Sequence, residues 1–176
     1  AAFAFAYPHL LADWRAAGAE LHFFSPLADQ APGEADFIYL PGGYPELHAG
    51  QLAGNRTFQD GLKQSRAMVY GECGGYMILG ETLVDAGGVA HQMAGLLPLV
   101  TSFATRKLHL GYRSLKALAG PMAGRWTGHE FHYATTVRAE GEPLFVAQDA
   151  EGTDLPPMGL IQNNVCGAFA HIIDAC

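Results

Sequence analysis

Charge is scarce in this chain. Only 15% of its 176 residues are Asp, Glu, Lys or Arg, and ten basic residues face 17 acidic ones, for a formal net charge of -7. With a pI near 5.5 and no basic run or basic helix face, the composition argues against a nucleic-acid partner or an anionic membrane surface, and leaves small polar substrates open. Cysteine is almost as rare. The three present, Cys73, Cys166 and Cys176, cannot all pair and show no framework spacing, so a reducing, cytosolic setting is expected. No apolar stretch is long enough to span a bilayer, and the N-terminus lacks the basic flank of a signal peptide. Internal repeats, low-complexity segments and Pro/Ser-rich linkers are missing too. One domain over residues 1–176 is therefore expected, and a hydrophobic content of 49% supplies its core.

What is present centres on Gly71-Glu72-Cys73-Gly74-Gly75. The apolar run Ala67-Met68-Val69-Tyr70 before it suits a buried parallel strand, and Tyr76-Met77-Ile78-Leu79 after it can open a helix. Gly-x-Cys-x-Gly between strand and helix is the thiol version of a nucleophile elbow, in which a sharp turn leaves the central side chain exposed in a strained backbone conformation. A thiol at a helix N-terminus is expected to favour its thiolate. The competing reading is a buried apolar cysteine beside a flexible loop.

Along the chain, Ala1 to Tyr7 alternates aromatic residues with alanine, a strand-like pattern, and a helix with Pro8 in its first turn runs towards Gly18. Glu20 to Phe24 reads as a strand ended by Ser25-Pro26. Ala35 to Leu40 reads as a second, running into Pro41-Gly42-Gly43-Tyr44-Pro45-Glu46, where an open parallel sheet places ligand loops. Leu47 to Ser65 is helical with a break between Gly50 and Asn55. This α and β order implies a parallel sheet. After Leu79 the chain reads as β-rich: strands at 101–105 and 108–115, consecutive antiparallel strands at 125–133, 135–140 and 144–148, and a proline-bearing acidic loop from Asp149 to Pro157. Asn163-Asn164 then turns a hairpin between 158–162 and 165–170, and His171 follows.

Thiol chemistry needs a base near the sulfur and two donors for the oxygen that becomes negative. Gly74 supplies the N–H directly after the cysteine, and Gly42-Gly43 can supply a second. Among eight histidines His171 is the candidate base, because a late strand can deliver it to the sheet edge where the elbow emerges. His129 and His132 are its rivals; on a strand Glu130 and His132 share a face, opposite His129. Two histidines and a glutamate suggest a metal. Residues i and i+3 of a strand face opposite sides, however, and no third spaced ligand follows, so no metal is assigned.

Pro-Gly-Gly-Tyr-Pro-Glu at 41–46, Gly-Glu-Cys-Gly-Gly-Tyr-Met at 71–77 and Gly-His-Glu-Phe-His-Tyr at 128–133 together resemble the glutaminase domain of cobyrinic acid and hydrogenobyrinic acid a,c-diamide synthases. Phe24-Ser25-Pro26-Leu27, Met93-Ala94-Gly95-Leu96-Leu97-Pro98 and Leu110-Gly111-Tyr112-Arg113 extend the resemblance over nearly the whole chain. It implies an α/β, flavodoxin-like class I glutamine amidotransferase fold, with a mostly parallel central sheet, helices on both faces and an antiparallel β-rich C-terminal half. It also implies glutamine hydrolysis, feeding ammonia to an N-terminal synthetase domain of the same polypeptide. That domain would use ATP and Mg2+ to amidate the a and c carboxylates of a corrinoid in cobalamin biosynthesis; no cofactor is implied for the present domain.

On the same resemblance Cys73 is the nucleophile, His171 its activating histidine, and Gly43 and Gly74 the oxyanion hole. Tyr44, Glu46 and Glu130 are candidates for the zwitterionic head of L-glutamine. Many such glutaminases place a glutamate two residues after the histidine; Ile173 stands there, which leaves a Cys-His pair, with Glu130 as the candidate substitute. The family also has a strand immediately before the segment matching Ala1. Two other readings stay open: a partner module inactive by itself, and a cysteine hydrolase of another substrate.

Overall fold

Among the described residues helix is confined to the first half of the chain and strand dominates the second, as the change in pattern after Leu79 predicts. The computed structural model describes residues 2–118, 120 and 122–176. In chain order these form α1 (Pro8–Ala16), β1 (Phe37–Leu40), α2 (Ala49–Gly54), α3 (Arg56–Gln64), β2 (Met68–Glu72), α4 (Gly74–Leu79), β3 (Thr82–Val84), β4 (Ala90–Gln92), β5 (Leu99–Ser102), β6 (His109–Ala117), β7 (Gly124–His132), β8 (Thr135–Ala139), β9 (Phe145–Gln148), β10 (Asp154–Met158), β11 (Leu160–Gln162), β12 (Val165–Ala168) and β13 (His171–Ala175).

The central sheet has the order β1-β2-β12-β11. Its first three strands are parallel and end level, since Leu40 and Gly167 are both register partners of Gly71. β11 closes the sheet as the antiparallel arm of the Asn163-Asn164 hairpin, where Asn163 takes the left-handed conformation at φ 54°. Both faces of β2 are covered, which is why Met68-Val69-Tyr70 is apolar without alternation. Val69 joins a core with Phe58, Leu62, Ile78 and Leu79 from α3 and α4. Tyr70 enters a second core with Leu115, Phe145, Ala168 and Ile172, under the antiparallel sheet β10-β9-β6-β7-β13. α1 lies on this second side, with Trp14 set edge-on to Tyr39 at 5.4 Å between ring centres. Each fully buried Leu, Ile or Phe contributes roughly 1.5–3 kcal/mol, so the two cores rather than helix propensity hold these short elements.

Four expectations are corrected. Glu20–Phe24 belongs to no strand. With Phe37–Leu40 it lines a cleft of about 1350 Å3, and its N–H groups make no backbone ladder bond. At the N-terminus only Phe5 pairs, in a single bridge to Gly42, and Ala1 lies outside the described residues. Residues 154–157, expected in a loop, belong to β10, which pairs with β9. This strand is the sheet edge and its register shifts between Leu155 and Met158, so Pro156 and Pro157 sit at an irregularity, where their missing N–H groups cost no ladder bond. Finally, β7, β8 and β9 are not mutual neighbours: β8 pairs with β5 in a third sheet of order β4-β3-β5-β8, and β9 pairs with β6.

Candidate active site

The elbow is held by bonds from both elements that it joins. Cys73 donates its N–H to the Ala168 carbonyl at 2.8 Å, prolonging the β2–β12 ladder, and its carbonyl accepts from Met77 N–H at 3.1 Å in the first turn of α4. Satisfying both sets forces φ 46°, ψ -100°, a conformation that costs a non-glycine residue about 1–3 kcal/mol. α4 can start so abruptly because Gly75 lies against the end of β1, where a Cβ would overlap the Leu40 carbonyl. Cys73 is only 5% exposed.

His171 arrives from the neighbouring strand. Ala168, the last residue of β12, is level with Glu72, and after Phe169 and Ala170 the chain crosses into β13, where His171 is the register partner of His129. The two imidazoles stack at 5.0 Å. On its other side the His171 ring lies against Gly42; a Cβ there would overlap Cε1. Gly43 touches Gly74, whose Cβ position is 3.0 Å from the Gly43 nitrogen. The loop after β1, the elbow after β2 and the turn after β12 thus place Gly43, Gly74, Cys73 and His171 together at the C-terminal edge of three adjacent parallel strands. Ligands of open α/β sheets bind at that edge.

Residues 7–175 match the CobB/CobQ-like glutamine amidotransferase domain family. The chain belongs to this family. A hydrogenobyrinate a,c-diamide synthase of Brucella anthropi is 57% identical over an alignment of 181 positions that covers 99% of this chain and 42% of that protein. The like-named protein of Rhizobium meliloti is 56% identical over an alignment of 184 positions that covers 98% of this chain and 42% of its own length. The amidotransferase domain therefore spans well under half the length of these curated relatives. A crystal structure of a glutamine amidotransferase, 17% identical, shares the fold with a TM-score of 0.50, over 77% of this chain and 70% of that one.

Electrostatically, the amidotransferase site is at rest. Burial pushes the Cys73 thiol up to about 12; the Gly74 N–H opposes that, and the carboxylates of Glu72, Glu46 and Glu130 add to it. The thiolate expected at a helix N-terminus is not the resting form, because α4 has only six residues and its field cannot offset burial. Burial likewise holds His171 down to about 4, with His129 and His132 reinforcing the effect, so its imidazole is neutral and free to accept a proton. Glu72 is raised to about 7 by burial, against lowering hydrogen bonds from Tyr39 and Ile172 and the nearby Tyr70 hydroxyl. Tyr70 itself falls outside hydrogen-bonding geometry and is left buried without a partner.

Of the remaining candidates, Glu130 does not reach His171. It pairs with Arg113 at 2.7 Å and faces His132 Nε2 at 3.3 Å, and hydrogen bonds from both hold its carboxyl below the usual range against the upward effect of burial. His129 rather than Glu130 is the register partner of His171, so Glu130 leaves β7 on the other face. His109 begins β6 and stacks on His132 at 4.6 Å. Tyr44 is half-exposed and set edge-on to Phe5, and Glu46 is partly buried with its pKa raised by desolvation. Sequence reasoning missed Glu72, the carboxylate nearest His171 at 3.7 Å, and its donor Tyr39 at 2.6 Å. The signal was available: on β2 Glu72 shares a face with Tyr70, which makes it a carboxylate pointing into a covered face.

Proposed function

We propose that the domain hydrolyses L-glutamine to glutamate and ammonia, with Cys73 as nucleophile and His171 as base. The observation that carries this reading is the convergence of the strained Cys73, His171 and the Gly43 and Gly74 backbones at one sheet edge. With both partners neutral at rest, the thiol proton moves to His171 as sulfur attacks the amide carbon, rather than before substrate binds. The tetrahedral oxyanion is met by the Gly43 and Gly74 amides. His171 returns the proton to the departing ammonia, then activates the water that cleaves the thioester. The carboxylates that oppose thiolate formation, Glu46 and Glu130 with Glu72, favour a cation, and Glu46 and Glu130 are the candidates to hold the α-ammonium of glutamine beside Tyr44.

In this reading the ammonia passes to a synthetase domain of the same polypeptide. There ATP and Mg2+ activate the a and c carboxylates of hydrogenobyrinic or cobyrinic acid for amidation. The names of the relatives support this corrinoid assignment, and a reducing cytoplasm fits three cysteines that are all free. In the full-length protein Cys73→Ala is expected to abolish glutamine-dependent amidation and to leave amidation with free ammonia; loss of both would overturn the division of labour. A glutamine analogue that alkylates glutaminase thiols is expected to label Cys73 alone, with L-glutamine protecting it.

A further inference from the structure

One carboxylate touches both strands that carry the candidate pair. Glu72 is the residue before the nucleophile, and its side chain crosses to β13. Oε1 accepts the backbone N–H of Ile172, next to the base, at 3.0 Å, and Oε2 lies 3.7 Å from His171 Nδ1. The carboxylate is itself fixed, because Tyr39 donates its hydroxyl to Oε2 at 2.6 Å, and the residue is 1% exposed. Ile173, two residues after His171, is an aliphatic residue whose carbonyl accepts from His9 at 2.8 Å.

We propose that Glu72 is a positioning residue for glutamine hydrolysis, holding His171 with Nδ1 turned inward and opposing the charge that its ring gains from the thiol. This inference rests on the glutaminase reading of Cys73 and His171. With Nδ1–H turned to Glu72, Nε2 is the nitrogen left to accept the proton. The 3.7 Å gap is one that a small ring movement closes when the imidazolium forms and attracts the anion. A purely architectural role needs no charge: a glutamine carbonyl would accept the Ile172 N–H equally well without the cost of burying an anion. The titratable groups facing this carboxylate are Tyr39 on β1, Tyr70 and Cys73 at the elbow, Tyr7 before α1, and His171 on β13 with the His129 ring stacked behind it on β7. No Lys or Arg pairs with Glu72 among the described residues, so its charge is available to the ring.

The test uses the full-length protein with Glu72→Gln, Glu72→Asp and Tyr39→Phe. Two rates are followed from about pH 5.5 to 9: glutamine hydrolysis, and alkylation of Cys73 by iodoacetamide without glutamine. Glu72→Gln is expected to lower kcat by ~10²-fold with KM changed less than about twofold, and to remove the acid limb of both profiles. Glu72→Asp restores part of the rate. Tyr39→Phe, which removes a donor to the carboxylate, keeps the limb and moves it to higher pH. Uniform slowing at every pH with the limb in place, or an unchanged kcat, overturns the proposal. If the Gln variant fails to fold, the shift or fixity of the limb in Tyr39→Phe decides. If wild type neither hydrolyses glutamine nor is protected by it, the glutaminase reading falls, and the alkylation profiles still show whether Glu72 acts through His171.

Discussion

Two buried groups at the site titrate in opposite senses, and folding stability should record both. His171 is held down to about 4, so between the ordinary imidazole pKa of 6.5 and about 4 the unfolded chain takes up a proton that the folded one refuses. Its contribution, about 3 kcal/mol, is present above pH 6.5 and lost as pH falls. Glu72 is raised to about 7 from 4.5, so the folded chain keeps a proton that the unfolded one releases. Its contribution, again about 3 kcal/mol, is present below pH 4.5 and lost as pH rises. The slopes nearly cancel in the native protein. Urea unfolding of Glu72→Gln is therefore expected to show stability falling as pH drops from 6.5 towards 4, and that of His171→Gln to show it falling as pH rises from 4.5 towards 7. Parallel curves for the three proteins would refute these assignments. Gly42 matters for a steric reason: Gly42→Ala drives a methyl group into His171 Cε1, and displacing the ring is expected to cost ~10²-fold in kcat with little change in unfolding midpoint.

Among the elements, α4 depends least on its own helix propensity. Six residues are too few to be stable alone, and all six are buried against neighbouring strands. Its start is set by Gly75 seated on the Leu40 carbonyl, so Gly75→Ala is expected to destabilise by roughly 1–3 kcal/mol and lower the melting temperature. An unchanged melting temperature would mean that α4 can move away from β1. The elements that local pattern misassigned were edges. Glu20–Phe24 has strand-like residues yet no partner across the cleft, and Asp154–Met158 has two prolines yet pairs, because an edge strand tolerates them. Pairing is a property of the neighbour, and the local residues do not encode it.

For the whole molecule, the β1-β2-β12 ladder lies between two cores, and of the Glu20–Phe24 segment only Phe24 packs against one of them. Hydrogen exchange read by mass spectrometry is expected to be slowest in peptides covering 68–72 and 165–168 and immediate in 20–24. Protection of 20–24 comparable to that of β2 would show a paired strand. The same layering makes the site possible. A parallel sheet brings the ends of three strands level, and the crossing from β12 into β13 carries the histidine from the central sheet into the antiparallel one.

By itself the sequence determined the parallel half of the sheet, the elbow at Cys73, the loop at Gly42-Gly43 and the late strand leading to His171. Each of these is local: a buried strand needs an apolar run, a sharp turn needs glycine, and both are written in consecutive residues. Only the tertiary structure decided that burial leaves the thiol protonated, that Arg113 and His132 engage Glu130, and that Glu72 lies beside His171, a hundred residues further along the chain. These depend on desolvation and on distances across the fold, which no stretch of neighbouring residues specifies.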